Sequence, residues 1–288
     1  MFSPAATTEF GVLRCVAMRY AGNFTRVLDG DDVHPVLARQ MTTSTWSQPT
    51  VSLVRAQQDA LIALLRNRDV EVILLEQAPG CSVQHYPRDL GFVIDSTLFL
   101  ARLNSEHRQP EADALARLAA QVPNVARLSA GTIEGGDVML HTGSVLVGRS
   151  EETSSAGIDA LQDALGEAGI DREVIPVPFA VPGIVHLDDH FNIVAPGIAL
   201  IHAAVFAHPQ QRWFEQNFDL IHVTDDEARD VQVNVLAIAP GTVVVAEGSE
   251  RISGELRDRG LEVLAVDYSE VTKVPGSLRC TTLPLTRA

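Results

Sequence analysis

Five short polar motifs, each leading into a pair of apolar runs, recur along this chain at intervals of about 45 to 52 residues. They are Arg88-Asp89-Leu90-Gly91, Glu134-Gly135-Gly136-Asp137, His186-Leu187-Asp188, Gln232-Val233-Asn234-Val235 and Arg279-Cys280-Thr281-Thr282. Self-similarity at such a period signals a solenoid or a propeller and constrains the fold before any single element is assigned.

After each of the first four motifs the same signals follow. The apolar runs 92–100, 138–147, 191–201 and 233–245 turn at Asp95-Ser96, Thr142-Gly143, Pro196-Gly197 and Pro240-Gly241, which is the mark of a hairpin. Helical spacing then covers 110–121, 155–168, 209–217 and 249–259, and β-branched strands close the units at 125–128, 173–176, 220–223 and 261–266. A fifth unit is split between the chain ends. Its first strand is 280–285, and 12–18, helix 51–67 and strand 70–75 supply the remainder. These signals predict an α/β, five-module pseudo-symmetric propeller of ββαβ units, whose closure by both termini leaves few open sheet edges. One catalytic domain over residues 1–288 is expected, because no Pro/Ser/Gly linker or low-complexity tract divides the chain. Residues 21–49 form the longest stretch without periodicity, a pattern that suits a lid or binding loop.

A formal charge of −15 works against binding to nucleic acid or to an anionic membrane and favours a small cation. The first ten residues lack a basic start and an apolar core, and no run of about 20 apolar residues occurs, so a cytoplasmic protein is expected. Three cysteines make no disulfide framework. Cys15 reads as a buried strand residue, and Cys81, after Pro79-Gly80, as a loop residue without a role. Cys280 differs because of its register.

In a ring of like modules the residue just before each first hairpin strand comes to the same height around the axis, so Asp89, Glu134, His186 with Asp188, and Cys280 converge. That is a nucleophile, a general base and three carboxylates. A thiol is only slightly ionised at neutral pH, so it needs a base or a cation nearby. His186 is suited to be the base and Glu134 to orient it. Asp89 and Asp188 would be costly beside a thiolate unless something positive lies between them, and a guanidinium with five N–H donors fits two carboxylates well.

On these motifs the chain resembles the guanidino-group-modifying superfamily of dimethylarginine dimethylaminohydrolases, arginine and agmatine deiminases, and amidinotransferases. Tyr86-Pro87-Arg88-Asp89, Ile133-Glu134-Gly135-Gly136-Asp137-Val138, Val185-His186-Leu187-Asp188 and Leu278-Arg279-Cys280-Thr281 match its motifs in order. The resemblance implies a pentein-type ring. In it Cys280 would attack the guanidinium carbon to give a covalent thiouronium, His186 would serve as acid and base, and Glu134 would hold His186. Asp89 would grip a guanidinium nitrogen, and Arg102 would help to bind substrate. It implies no metal or organic cofactor.

The partner expected is thus a small cationic guanidino substrate, with a homodimer left open as the assembly. Asp188 completes a His-x-Asp pair that favours an unmethylated guanidine, although the chain has the length of the dimethylarginine hydrolases. Glu152 stands where amino-acid-specific relatives carry an Arg that clamps the α-carboxylate. The far end of the substrate is therefore expected to be cationic or neutral, unless Arg149 supplies the missing charge. A hydrolase of guanidino C–N bonds is the leading reading, an amidinotransferase the second, and a non-catalytic binding propeller the alternative of another class.

Plainer readings stand beside these. Asp89 and Asp137 suit loop carboxylates, and Gly135-Gly136 suits positive backbone angles. His186 and His190 would lie roughly 13 Å apart on a strand, too far to share a zinc ion. His190 and His202 suit a strand face or the surface, and Glu151-Glu152 and Asp225-Asp226 suit helix starts.

Overall fold

The computed structural model describes residues 2–22, 24, 47–81 and 83–288. Most of the irregular stretch 21–49, including its expected role as a lid, lies outside the described residues.

The four internal repeats fold as read. The first is β3 (Gly91–Ile94), β4 (Thr97–Leu100), α2 (Gln109–Ala119) and β5 (Val125–Arg127). The second is β6 (Val138–His141), β7 (Ser144–Arg149), α3 (Ser155–Glu167) and β8 (Glu173–Pro178). The third is β9 (Phe191–Ala195), β10 (Ile198–Ile201), α4 (His208–Asn217) and β11 (Asp219–His222), followed by the short helix α5 (Asp225–Arg229). The fourth is β12 (Leu236–Ala239), β13 (Thr242–Ala246), α6 (Glu250–Asp258) and β14 (Glu262–Val266). The fifth joins β15 (Leu283–Arg287) to β1 (Leu13–Met18), α1 (Val51–Arg66) and β2 (Glu71–Leu74).

Each module is a three-stranded sheet in which the middle strand pairs antiparallel with one neighbour and parallel with the other. The hairpins turn where the sequence places them. Asp95 and Gly143 take φ of 50° and 68°, the left-handed geometry that tight hairpin turns require. The helices bury one stripe each, as Val54, Leu61, Ile62 and Leu65 do in α1. Start signals are side-chain caps: Ser154 accepts from the Gly157 N–H, and Thr224 forms a capping box with Glu227. Asp225-Asp226 therefore begins a helix as expected, whereas Glu151-Glu152 precedes Ser154 and begins none.

Two strands start later than the apolar pattern implies. β12 begins at Leu236 rather than Val233, and β15 at Leu283 rather than Cys280. The Thr281 and Thr282 hydroxyls donate to the Leu278 carbonyl, and the Asn234 carbonyl oxygen accepts from the backbone N–H groups of Arg279 and Cys280. Side chains thus hold both segments as polar turns, overriding the strand preference of β-branched residues. Cys280 consequently occupies the turn before its strand, in register with the other four motifs.

The N-terminal segment runs into the interior. Glu9, 5% exposed, accepts from the Leu140 N–H and pairs with Arg279, itself 2% exposed, and Arg279 Nε donates to Asp188 Oδ2 at 3.1 Å. Burial alone would raise the Glu9 pKa, but Arg279, Arg88 and Arg287 outweigh it and keep the carboxylate ionised. Replacing Glu9 by Ala leaves a buried guanidinium half-met, which costs about 3–5 kcal/mol. Denaturant unfolding of Glu9→Ala should show a loss of that size, and one below about 1 kcal/mol would contradict this view of the interior.

Candidate active site

Three of the five motifs are 3-10 turns, Pro87–Leu90, Gly135–Asp137 and Leu187–Asp189, packed successively against one another. Glu134 and His186 are the residues that open the second and third of them, and Asp89 lies in the first. Close packing of these turns excludes side chains. A Cβ on Gly135 would lie 2.1 Å from the Arg88 carbonyl oxygen, and one on Gly136 would lie 2.6 Å from His186 Cγ. Neither glycine has a positive φ, so it is proximity and not backbone angle that demands them, contrary to the expectation from sequence.

The side chains so gathered are buried: Asp89 is 3%, Glu134 1%, His186 5%, Asp188 0% and Cys280 4% exposed. His186 Nε2 lies 3.1 Å from Glu134 Oε2, and its Nδ1 lies 3.7 Å from Asp89 Oδ1. Asp188, tied to Arg279 by one oxygen, groups with Asp189 and His186 so closely that one ligand atom of each lies within 4.8 Å of the others. Asp89, Glu134 and His186 form a second group of that kind, so both are spaced to surround a small cation. Cys280 Sγ joins them through Asn234, whose Nδ2 is 3.1 Å from the sulfur and 3.2 Å from Asp189 Oδ1. Sulfur and imidazole therefore belong to one buried cluster.

Glu152 is also buried, at 5%, and acts electrostatically on the same groups, whereas Arg102 and Arg149 are exposed. Arg102 makes a backbone bridge to Ile133, and the guanidinium that reaches the acids is that of Arg108 instead. Its Nη1 contacts Asp89 Oδ2 at 2.8 Å and Glu134 Oε2 at 3.3 Å, and its Nε donates to Glu111 at 3.0 Å. Sequence reasoning missed Arg108 because no motif surrounds it. The Glu three residues on, Glu111, was the one local hint. It also passed over Asp189 and Asn234, although Asn234 stands in the fourth motif, and it underrated Asp137. That carboxylate accepts from Ser150 and from the Leu187 N–H, fixing one turn to the next.

His190 and His202 do not stand as separate surface residues. Their Nδ1 atoms are 3.1 Å apart, and His202 Nε2 contacts Asp225 at 2.8 Å. The segment between His186 and His190 is a 3-10 turn and not a strand.

Burial is the dominant force on these ionisations. It pushes the Cys280 thiol well above its ordinary range, with Asp188, Asp189 and Asp89 adding to the shift. It also raises Asp89 and Glu152, and it carries Asp137 to about 7 and Asp189 to about 8. His186 also moves upward, but against its burial. Burial opposes its charge, but Asp89, the Glu134 hydrogen bond and Asp137 prevail, and its pKa lies well above the ordinary imidazole value. Glu134 is lowered, since the hydrogen bond to His186 and the charge of Arg108 outweigh its burial. The resting site thus pairs a neutral thiol with an imidazolium. Four carboxylate oxygens in it, Asp89 Oδ1, Glu134 Oε1, Glu152 Oε2 and Asp188 Oδ1, are buried without a hydrogen-bond partner among the described residues.

A family model described as N,N dimethylarginine dimethylhydrolase, eukaryotic, matches residues 38–287. The chain belongs to that family. Outside the dimethylarginine dimethylhydrolase model, it is similar to the uncharacterized protein YkgA of Bacillus subtilis (strain 168), being 34% identical over 238 residues that cover 82% of each chain. It is also similar to an arginine deiminase of Mycobacterium bovis, 31% identical over 187 residues, which cover 54% of this chain and 46% of the deiminase. The alignment thus spans about half the length of that relative.

Among solved structures, the dimethylarginine dimethylaminohydrolase of Pseudomonas aeruginosa complexed with citrulline matches with a TM-score of 0.76 at 20% identity, covering 94% of this chain and 99% of that one. SxtG, an amidinotransferase of Microseira wollei, matches with a TM-score of 0.81 at 17% identity, covering 99% and 97%. These two likenesses are of fold, and they show the α/β five-module propeller. No helix among the described residues is long and apolar enough to cross a membrane.

The tight fit of Gly136 against His186 gives a test. In Gly136→Ala the new methyl displaces the imidazole from Glu134, and a misplacement near 1 Å lowers any turnover that passes through His186 by about 100-fold. Overpacking costs stability by about 1–3 kcal/mol, so the variant should remain folded. Steady-state rates and an unfolding curve check both, and wild-type turnover would contradict the placement of His186.

Proposed function

We propose that this protein hydrolyses a C–N bond of a cationic guanidine whose far end is neutral or cationic, with Cys280 as nucleophile, His186 as acid and base, and Glu134 orienting His186. The family match supports the reaction class. The observation that carries the choice of ligand is the set of four unpartnered carboxylate oxygens beside the sulfur and the imidazole. Buried acceptors without donors are costly, and a planar group with five N–H donors and a positive charge meets several at once. Asp89 and Asp188 are the acids assigned to its nitrogens.

The same charge solves the problem of the thiol. Burial and the nearby carboxylates keep the proton on sulfur. A guanidinium seated among them favours the thiolate and sheds the proton from the site. Sγ then bonds to the guanidinium carbon, and one C–N bond breaks as His186 passes its proton to the departing amine, leaving a thiouronium on the sulfur. The neutral imidazole next takes one proton from water as the oxygen adds to the carbon, and rupture of the C–S bond, with the remaining hydroxyl proton lost to the departed amine or solvent, returns the thiolate and a ureido product. Electrostatic preorganisation of this kind is the largest lever an enclosed polar site has on a charged transition state.

The tail preference rests on Glu152. Arg149 is exposed, and Arg108, whose charge offsets Glu152 only in part, is already engaged by Asp89, Glu134 and Glu111. A substrate carboxylate near Glu152 would be repelled. Transfer of the amidino group to an amine, the second reading, shares every step up to the thiouronium and differs only in what meets it.

A panel of arginine, methylated arginines, agmatine and small guanidines, assayed for ammonia, alkylamine and amidino transfer, tests the reading. Agmatine or a small guanidine should exceed arginine, and Cys280→Ser should abolish release from all of them. Glu152→Arg should raise kcat/KM for arginine relative to agmatine by about tenfold or more, since a charge-assisted hydrogen bond replaces a repulsion. An unchanged preference would remove Glu152 from the account.

A further inference from the structure

Asn234 occupies, in the fourth module, the place that the other modules fill with Asp89, Glu134, His186 and Cys280, and the reaction above gives it nothing to do. It is 1% exposed, and every polar atom of its side chain is engaged. Oδ1 accepts from the backbone N–H groups of Arg279 at 2.9 Å and Cys280 at 3.1 Å. Nδ2 donates to Cys280 Sγ at 3.1 Å and Asp189 Oδ1 at 3.2 Å, and lies 3.4 Å from the Asp188 carbonyl oxygen. The two backbone donors settle which end of the amide is which, because an N–H group cannot face another N–H. One amide therefore grips Cys280 twice, by its backbone and by its sulfur.

We propose that Asn234 is a further catalytic residue, which fixes the Cys280 side chain from the backbone outward and stabilises its thiolate through the Nδ2–H···Sγ bond. The proposal deepens the reading of Cys280 as nucleophile and rests on it. A neutral thiol is a weak acceptor, whereas a thiolate accepts a charge-assisted bond, so this contact strengthens as the proton leaves. It opposes Asp188, Asp189 and Asp89, which resist that ionisation, and a Ser277 backbone contact acts in the same sense. The same Nδ2 also donates to Asp189 Oδ1 at 3.2 Å, so one amide group engages both the sulfur and an acid that resists its ionisation.

The test is the pH profile of Cys280 alkylation by iodoacetamide, with peptide mapping to separate it from Cys15 and Cys81. In Asn234→Ser and Asn234→Ala the midpoint of the profile should rise by about one to two pH units. Below the wild-type midpoint the variants should then react about ten- to a hundredfold more slowly, and at the highest pH they should match it. Asn234→Ala removes the Nδ2–H donor without adding charge beside the sulfur, so it carries the test if the Ser variant does not fold. Equal midpoints, with any rate change independent of pH, would reduce Asn234 to a structural brace and overturn the proposal. The profile reads the sulfur without a substrate. A shifted midpoint in a protein that turns over no guanidine would uphold Asn234 and sink the proposed reaction, and the two failures are thereby distinguishable.

Discussion

Arg279 has almost no exposure and a guanidinium that does not give up its proton, so the fold must bring acids to it. It takes them from two segments distant in sequence: Glu9 from the N-terminal segment and Asp188 from the third module. Its backbone N–H and that of Cys280 are held by Asn234 of the fourth module. An ion pair so deeply buried adds little net stability over a well-packed apolar substitute, but it is costly to break, and the cost attaches to arrangement. The residue next to Cys280 is thus locked to three other segments, and the position of Cys280 follows from that lock.

The same economy of charge governs the site itself. Acids outnumber bases in the space around His186: burial first, and the neighbouring acids after it, drive Asp89, Glu152, Asp189 and Cys280 upward, and the acids overcome burial to drive His186 upward. Arg108 tempers one side of the cluster without neutralising the whole. On the proposed reading, such a site is unreactive while burial and acids keep the proton on sulfur and becomes nucleophilic when a cation enters, so binding and activation are one event. That is a physical route to selectivity for guanidines over neutral ureas, because the product lacks the charge that woke the thiol.

The architecture was legible in the sequence because the repeat supplied the same evidence five times, and hairpin turns such as Asp95-Ser96 and Thr142-Gly143 carry their own chemistry. Register did the same for Asp89, Glu134, His186 and Cys280, which need only a common place in each module. Side chains that reach the site from elsewhere left no such trace. Arg108 arrives from the turn before α2, and its pairing depends on tertiary packing that no spacing encodes. Arg102 rests on analogy of position alone and proves to face solvent. Asn234 stood in the fourth motif in plain sight, but an amide has no charge or nucleophilicity to draw notice, and its importance lies in partners distant in sequence. The glycine pair reads in sequence as a matter of backbone angles, although the constraint is the ring of His186 and the carbonyl of Arg88 pressing against it.

The central claim is that the carbon of a guanidinium becomes bonded to the sulfur of Cys280 during turnover. Rapid acid quenching of the enzyme mixed with its best guanidine substrate, followed by mass analysis of the peptide holding Cys280, observes that bond directly. The account predicts that this peptide alone gains the mass of the substrate less its departing amine, early and transiently. Product formation with that peptide unmodified at every time point would contradict it.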